Sequence, residues 1–167
     1  GSYGYGRSIC FRVSSCRTAV VYSRTHDDLA RPDSRLIVVS YGPEFDRAGD
    51  SFNGRHWWTS ASSEGQPVTG QKADQIARSI GIRPYAEDER GTTVAIIDPS
   101  FDDMSSSDVC QSLALSINYH LWPKFAKIDD KRPAMKFHVF DGEEEIQLGR
   151  PESDPVLKYF VSALAHI

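Results

Sequence analysis

The chain has 167 residues, of which 40% are hydrophobic and 25% charged, proportions typical of one folded domain or a domain with an appendage. Its formal net charge of −4 argues against a nucleic-acid footprint spread over the whole chain, although a local basic patch stays compatible with it. It has no apolar run of about 20 residues, no signal-peptide pattern and no CxxC spacing among its three cysteines, so we expect a cytoplasmic protein without a membrane span or disulfides.

The first half of the chain predicts one helix and two strands. After a glycine-rich opening, residues 9–15 are partly apolar and predict a helix or its beginning. Residues 17–24 and 36–40 are rich in β-branched and other apolar side chains and predict strands, which we expect to pair as a hairpin with a long connection. Residues 41–70 contain scattered glycines and serines and are expected to be irregular.

The middle of the chain predicts a helix followed by a strand. In residues 71–80, apolar side chains recur at spacings of three and four, which predicts a helix, and Gly81 is a residue type that often ends one. Residues 91–98 have the composition of a strand. Because residues 94–97 are all apolar, we expect that part of the strand to be buried on both faces.

A long helix is predicted over residues 102–124. Ser106 or Ser107 is expected to cap its first turn, and Pro123 lies near its predicted end. The apolar face of this helix is expected to be a ridge of side chains spaced by four residues: Val109, Leu113, Ile117 and Leu121.

The C-terminal part predicts a hairpin and a last helix. Residues 135–139 alternate between apolar and polar, and Asp141 and Gly142 predict a turn into a returning strand at 144–148. Residues 155–167 predict a helix. Its apolar face is expected to carry Val156, Phe160 and Leu164. The order of elements indicates an α+β fold in which a mixed sheet packs on helices.

The opening octapeptide has the composition of a backbone that wraps a phosphate. Glycine has no Cβ, so successive N–H groups can converge on an anion, and the positive end of a following helix would help to hold it. Gly1, Gly4 and Gly6 have the spacing GxxGxG. Gly1, Gly6 and Ser8 also fit the P-loop pattern GxxxxGK[ST], with Arg7 in place of its lysine. A flexible glycine-rich start without a ligand has the same composition.

A second short segment, Gly91-Thr92-Thr93-Val94, begins a predicted strand. With the GxxGxG spacing, it resembles the GHKL ATPases (gyrase, heat-shock chaperone, histidine kinase, MutL and MORC type). In that family the glycine-rich lid precedes a GTxV box, which opens a late strand of the Bergerat-type ATP-binding fold. The resemblance implies a lid-to-GTxV portion over residues 1–103. The helix–hairpin–helix segment at 104–167 would then stand where the family has its transducer domain.

The resemblance implies ATP as the ligand, with phosphates near the start of the chain and the adenine near the later strand. The implied binding residues are Gly1, Gly4, Gly6, Arg7, Ser8 and Thr92. Arg7 stands where the family often has lysine, and a planar guanidinium replaces a compact ammonium. Some family members also use a transducer lysine against the terminal phosphate. The candidates for that role are Lys124, Lys127 and Lys131.

The family's catalytic parts do not occur within the 167 residues. A GHKL ATPase needs a helix with a Glu that activates water and an Asn that binds Mg²⁺, followed by a DxGxG box. The resemblance therefore implies no catalytic residue and no metal ligand in this chain. It implies that a preceding segment or a partner chain supplies these groups, and ATP hydrolysis is expected only together with them. The implied function is ATP-dependent conformational switching on a protein or nucleic-acid client, and a homodimer is left open.

Two other interpretations stay open at this point. One is a non-enzymatic interaction module whose contact surface is the irregular part around Trp57 and Trp58. The other is a degenerate P-loop NTPase fragment, because the apolar residues before Asp98 fit a Walker B strand. His26, Asp27 and Asp28 have the residue types of a metal site but lack a spaced second histidine, so a solvated loop is expected there.

Overall fold

The chain forms two compact units, Gly1–Ser100 and Phe101–Ile167. The α+β prediction is confirmed: a sheet packs against helices, and every described strand pair is antiparallel. The computed structural model describes residues 5–26, 31–60, 65–127 and 133–165.

The first unit is built around a five-stranded sheet. Its strands run in the order β5-β2-β1-β7, and β6 pairs with β2 beside β5, while β3 and β4 form a separate hairpin. The elements are α1 (Tyr5–Arg12), β1 (Thr18–His26), β2 (Pro32–Tyr41), β3 (Phe45–Arg47), β4 (Asp50–Phe52), β5 (Arg55–Trp58), β6 (Val68–Thr69), α2 (Gly70–Ser79) and β7 (Gly91–Ile96).

The predicted hairpin of the first two strands is confirmed. β1 and β2 pair from Thr18 opposite Ser40 to His26 opposite Pro32, so the connection is shorter than expected. Alternate residues of both strands point towards α2, as the period of two in a strand requires. The core beneath that helix consists of Val20, Tyr22, Leu36, Val68, Ala73 and Ala77.

Helix α2 lies close to the sheet because small residues face it. Ala73 and Ala77 are fully buried, and their methyl groups let the helix backbone approach β2. The helix ends as predicted, with Gly81 in left-handed backbone (φ 81°). The amide of Ile82 donates to the carbonyl of Ala77 (2.9 Å) and that of Gly81 to Arg78 (3.1 Å), the two bonds of a Schellman motif.

The expectation that residues 94–97 are buried on both faces is wrong. β7 lies at an end of the strand order and pairs only with β1 among the described residues. Val94 is 51% exposed and Ile97 38% exposed. The apolar run therefore belongs to a strand with one half-buried face and one more open face, because β7 does not occupy the centre of the sheet.

The expectation that residues 41–70 are irregular is also wrong. This part contains the β3–β4 hairpin, whose turn places Ala48 and Gly49 at positive φ, and two short strands that extend the main sheet. β5 pairs with the last four residues of β2, and β6 with Arg35 and Leu36. The strands were missed because they have only two to four residues, too few for a period of two to be recognised.

The second unit contains α3 (Ser106–His120), α4 (Trp122–Phe125), β8 (Val139–Asp141), β9 (Glu144–Ile146), a 3₁₀ turn (Pro151–Ser153) and α5 (Leu157–Leu164). The long predicted helix is thus divided in two, with Pro123 in the first turn of α4. The predicted turn at Gly142 is confirmed, with φ of 62°. The predicted strand at 135–139 is shorter than expected, since pairing begins at Val139.

The apolar faces predicted for the two long helices of this unit are wrong. On α3 the buried residues are Ala114 and Asn118, whereas Leu113 of the expected ridge is 51% exposed. On α5 the buried residues are Leu157 and Val161, one position along from the expected set. Both helices carry apolar side chains on more than one side, so spacing by four does not select the buried face.

Ser105, rather than Ser106 or Ser107, caps α3. Its hydroxyl oxygen accepts the amide of Asp108 (3.2 Å), and the Asp108 carboxylate accepts the amide of Ser105 (3.2 Å), which completes a capping box. The Ser105 hydroxyl also donates to the Asp108 carboxylate (2.6 Å), and this bond, followed by that from the Ser105 amide, lowers the pKa of Asp108. Ser106 has a different role, because its hydroxyl donates to the Asp141 carboxylate (2.9 Å).

Candidate functional site

The predicted phosphate-binding segment runs into helix α1. Gly1 and Gly4 lie outside the described residues. Gly6, Arg7 and Ser8 belong to the first half of α1, which begins at Tyr5, four residues before the predicted helix. Gly6, Arg7 and Ser8 therefore do not belong to a loop, and a phosphate would meet them at the N-terminal end of a helix.

Gly6 has no local reason to be glycine. It is exposed, its backbone is helical, and a Cβ built on it meets no atom of the described residues within 4 Å. Glycine in a helix costs roughly 0.5–1 kcal/mol relative to alanine, so this position weakens α1 without relieving any contact.

Hydrogen bonds join the residues that follow α1 to the residues that follow β7. The Ser14 hydroxyl is buried, donates to the carbonyl of Ile97 (2.5 Å) and accepts the amide of Thr18 (2.9 Å). The amide of Ser15 donates to the carbonyl of Asp98 (2.9 Å). The same hydrogen bonds explain why the helix stops at Arg12 and not at residue 15, because the chain turns here to enter β1.

Gly91 and Thr93 of the second motif fit against Tyr85. A Cβ on Gly91 would lie 2.9 Å from the Tyr85 ring, so glycine is needed for this close approach. The Tyr85 hydroxyl lies 2.9 Å from the Thr93 hydroxyl, within hydrogen-bonding distance. Thr92, which is aligned with Ser23 of β1, is exposed because successive residues of a strand point to opposite faces.

Thr92 and helix α1 lie on the same face of the sheet. The Phe11 ring of α1 packs edge-on against the Tyr41 ring, with centroids 4.5 Å apart. Tyr41 shares a face of β2 with Val39, and Val39 is aligned through β1 with Ile96. Ile96 in turn shares a face of β7 with Thr92. The register thus brings the two predicted ligand-contacting segments to one side, and α2 covers the other.

A polar network lies under α2, on the face opposite Thr92. The Tyr22 hydroxyl donates to Asp74 (2.7 Å), and its ring stacks on Tyr85 at a centroid distance of 5.6 Å. Arg24 donates to the Ser34 hydroxyl (3.2 Å) and lies 3.9 Å from the Asp74 carboxylate, while its Nε has no partner among the described residues. Burial, and then the bond to Asp74, raise the pKa of Tyr22.

This network is structural in character. Tyr22 is fully buried and Asp74 is held between a tyrosine hydroxyl and a guanidinium, so neither is presented to a ligand. No local pattern in the sequence indicates this network, because Tyr22 has the residue type of an ordinary strand position and Asp74 that of a polar helix position. The two are 52 positions apart, and only the packing of α2 on β1 brings them together.

The remaining predicted positions do not converge on a metal site. Among the described residues, no group of three or more His, Cys, Asp or Glu side chains could hold a metal ion. His26 lies 3.2 Å from an Arg90 nitrogen, and Asp27 and Asp28 fall outside the described part. Asp98, the expected Walker B position, lies two residues beyond β7 in left-handed backbone (φ 48°).

Of the three lysine candidates, Lys124 lies in α4 and Lys127 follows it, and both are exposed. Lys131 is outside the described residues. In the same part of the second unit, Lys127 and Arg150 line a cleft with the 3₁₀ turn, where the Glu152 carboxylate accepts the amide of Lys127.

No helix in the described part of the chain is both long and apolar enough to cross a bilayer. All three cysteines are free thiols, and Cys16 is exposed. Hydrogen bonding with the side chains of Ser14 and then Thr18 lowers the pKa of Cys16.

Comparisons of the chain with protein-family models, with curated proteins and with solved structures found no match.

Proposed function

We propose that this chain carries the lid and the GTxV strand of a GHKL-like ATPase and acts as an ATP-dependent conformational switch. The observation that carries the proposal is the common face of α1 and Thr92, since a nucleotide must reach both at once. The position of Gly91 at the first residue of β7 supports it as well, because the GTxV box of the family opens a strand of the ATPase sheet.

The residues present fit the phosphate and base ends of ATP but not its hydrolysis. The proposal places a phosphate at the positive end of α1, where Gly6 adds no side chain between the helix backbone and a ligand. The resemblance adds Arg7 and Ser8 there, and Thr92 offers an exposed hydroxyl to the base. Bound ATP with Mg²⁺ would supply the transferable phosphoryl group. The proposal assigns no residue of this chain to magnesium or to the activation of water.

The hydrogen bonds of Ser14 give the switch a physical path. If phosphate contacts shift or order α1, the shift reaches β7 through the hydroxyl that joins Ser14 to Ile97. A ligand moves such an equilibrium only by its differential affinity for the two arrangements. Contacts that exist only when α1 is ordered on the phosphates would provide that difference.

The test is equilibrium binding of Mg·ATP to the native polypeptide isolated from its source. Thr92→Val is expected to weaken binding, because a hydrogen-bonding hydroxyl is replaced by a methyl group of similar size. Thr25→Val is the matched control, since Thr25 is an exposed threonine of β1 in the same sheet. A native polypeptide that does not bind Mg·ATP, or equal losses in the two variants, would overturn the proposal.

A second candidate is a protein-interaction module, favoured by the exposure of neighbouring tryptophans. Trp57 is 53% and Trp58 55% exposed, on opposite faces of β5. Tryptophan is enriched where partner proteins bind, and these two exposed side chains are neighbours in the chain instead of being scattered singly. For both candidates we propose a cytoplasmic location, which three cysteines without a CxxC spacing support.

A further inference from the structure

Four aromatic rings lie in a row at β5, three of them parallel and the fourth tilted by 38°, and we name this row the aromatic ladder. Phe52 and Phe45 are directly opposite each other in the β3–β4 hairpin, and their rings are parallel within 11° at a centroid distance of 4.9 Å. Phe45 stacks on His56 at 5.9 Å, and His56 lies 6.4 Å from Trp58. The ladder thus connects the hairpin to the edge of the main sheet.

The hairpin is held in place at its base by two glycines. The amide of Gly42 donates to the carbonyl of Gly54 (2.7 Å), and a Cβ on Gly54 would overlap the Gly42 backbone. The His56 ring packs on Gly42, where an added Cβ would lie 3.3 Å from its Nε2. The ladder is therefore positioned by backbone and ring contacts, and it is formed before any partner arrives.

The ladder is exposed and contributes little to the core. Phe45 is 38%, Phe52 44% and Trp58 55% exposed. None of them belongs to the buried cluster beneath α2. Parallel rings that stay in water at a preformed position are typical of surfaces that bind something flat or cationic.

The charges around the ladder select the class of partner. Residues 43–55 contain three carboxylates, Glu44, Asp46 and Asp50, against two cations, Arg47 and Arg55, so acidic groups outnumber basic ones. Glu44 and Asp46 line a cleft of about 330 Å³ together with both phenylalanine rings of the hairpin. Carboxylates beside the rings repel the phosphates of a nucleic acid and attract a cation.

A guanidinium matches both features of this surface. It is planar and stacks on aromatic faces, and its donors pair with carboxylate oxygens in a fixed geometry. The chain already uses this chemistry next to the ladder, where the Arg55 guanidinium lies over the Tyr41 ring, 5.8 Å from its centroid. Lysine offers the charge without the plane, so it fits less well.

We propose that the aromatic ladder and the cleft at Glu44 and Asp46 bind an arginine-bearing segment of a partner protein. This inference gives the interaction candidate its surface and its ligand chemistry. It does not depend on the nucleotide proposal, because Gly6 and Thr92 take no part in it. Each proposal can therefore fail while the other stands.

The test uses a fluorescein-labelled decapeptide of alternating glycine and arginine, titrated with the full chain. The same peptide with lysine in place of arginine is the control for charge, and a ten-nucleotide oligo(dT) is the control for nucleic acid. We expect saturable binding of the arginine peptide, tighter than that of the lysine peptide by about two- to fivefold, the usual contribution of cation stacking. Oligo(dT) that binds as tightly as the arginine peptide would overturn the proposal and indicate a base-stacking platform.

Variants then locate the binding. Phe45→Ala and Phe52→Ala are each expected to weaken the arginine peptide about two- to fivefold, and Phe45→Tyr is expected to retain binding. Phe140→Ala is the matched control, since Phe140 is 53% exposed beside a run of glutamates in the second unit. Phe45→Leu keeps apolar bulk without a flat ring and guards against loss of the hairpin. The proposal is contradicted if the arginine peptide shows no saturable binding. It is contradicted as well if Phe140→Ala weakens binding as much as Phe45→Ala and Phe52→Ala do.

Discussion

Replacing Tyr22 by phenylalanine isolates one hydrogen bond in the core of the first unit. The ring stays buried and its stacking on Tyr85 is preserved, so the change removes only the hydroxyl that donates to Asp74 at 2.7 Å. A hydrogen bond to a charged group contributes about 1.5–3 kcal/mol. The Asp74 side chain is 17% exposed, so water can partly replace the lost donor. We therefore expect the free energy of unfolding to fall by about 1.5 kcal/mol, the lower end of that range.

The assay is urea unfolding of the chain at neutral pH, followed by a double-mutant cycle with Asp74→Asn. A coupling energy of about 1 kcal/mol between the two positions is expected for groups in direct contact. Tyr159→Phe is the matched control, because Tyr159 is 69% exposed and its hydroxyl should contribute little. A Tyr22→Phe variant as stable as the control, or a cycle without coupling, would refute the reasoning.

The same variant has a characteristic pH dependence. Burial and Asp74 raise the pKa of Tyr22 above its ordinary value of 10.0, so the folded state holds this proton more tightly than the unfolded state does. The resulting stability is fully present below pH 10.0 and is lost as the pH rises through the higher pKa of the folded state. We expect the stability advantage of the wild type over Tyr22→Phe to shrink in alkali. A difference between the two that stays constant up to alkaline unfolding would contradict the burial of a protonated Tyr22.

Three further predictions follow from local geometry. Gly6→Ala should raise the free energy of unfolding by about 0.5–1 kcal/mol in a urea titration, since alanine favours the helix more than glycine does and no contact is lost. The same change should weaken the binding of Mg·ATP by the native polypeptide. A lower free energy of unfolding would contradict the prediction. Gly91→Ala should lower the free energy of unfolding by about 1–3 kcal/mol in the same titration, because the new methyl group overlaps the Tyr85 ring. An unchanged midpoint of unfolding would show that the ring moves aside freely. Ser105→Ala should destabilise α3 by about 1 kcal/mol, measured by amide exchange within the helix. Because the pKa of Asp108 is lowered, the stability from that capping pair is present above pH 3.8 and is lost as the pH falls through the folded-state pKa, and Ser105→Ala should lack this acid dependence.

The main elements of the first unit could be predicted from local patterns. The runs before Arg24 and after Arg35 are strands because β-branched side chains suit a pleated, half-buried surface, and their pairing was expected from their proximity in sequence. The end of α2 was predictable from Gly81, since few other residues adopt its backbone conformation. In these places local preference and final packing agree.

Burial could not be predicted where an element is apolar on more than one side. Leu113 and Ala114 of α3 are adjacent and both apolar, yet the smaller one is buried against the β8–β9 hairpin. Val94 was expected to be covered because its neighbours are apolar, but coverage depends on which strand lies beside β7. Tertiary packing decides which of these apolar side chains is buried, and local sequence patterns do not encode that packing.

The two candidate surfaces also differ in how far the sequence predicts them. Gly6 and Thr92 were predicted from motifs, and their placement on one face required the strand register. The aromatic ladder had no motif at all, because Phe45 and His56 are 11 positions apart and meet only after the chain folds back at Gly54. A phenylalanine pair flanking Ala48 and Gly49 was the one local sign of a hairpin there.

The hydrogen bond between Gly42 and Gly54 has a consequence for how this protein can diversify. Because the backbone closes at that point, the segment between the two glycines is a self-contained loop whose ends are fixed by the sheet and not by its own side chains. Doubling the length of such a loop costs only about 0.6 kcal/mol of closure entropy. New residues can therefore be inserted at Ala48 and Gly49, or the whole tip exchanged, without altering the register of β2 and β5. The loop tip that carries Phe45 and Phe52 can thus vary while the sheet that carries α1 and β7 stays constant.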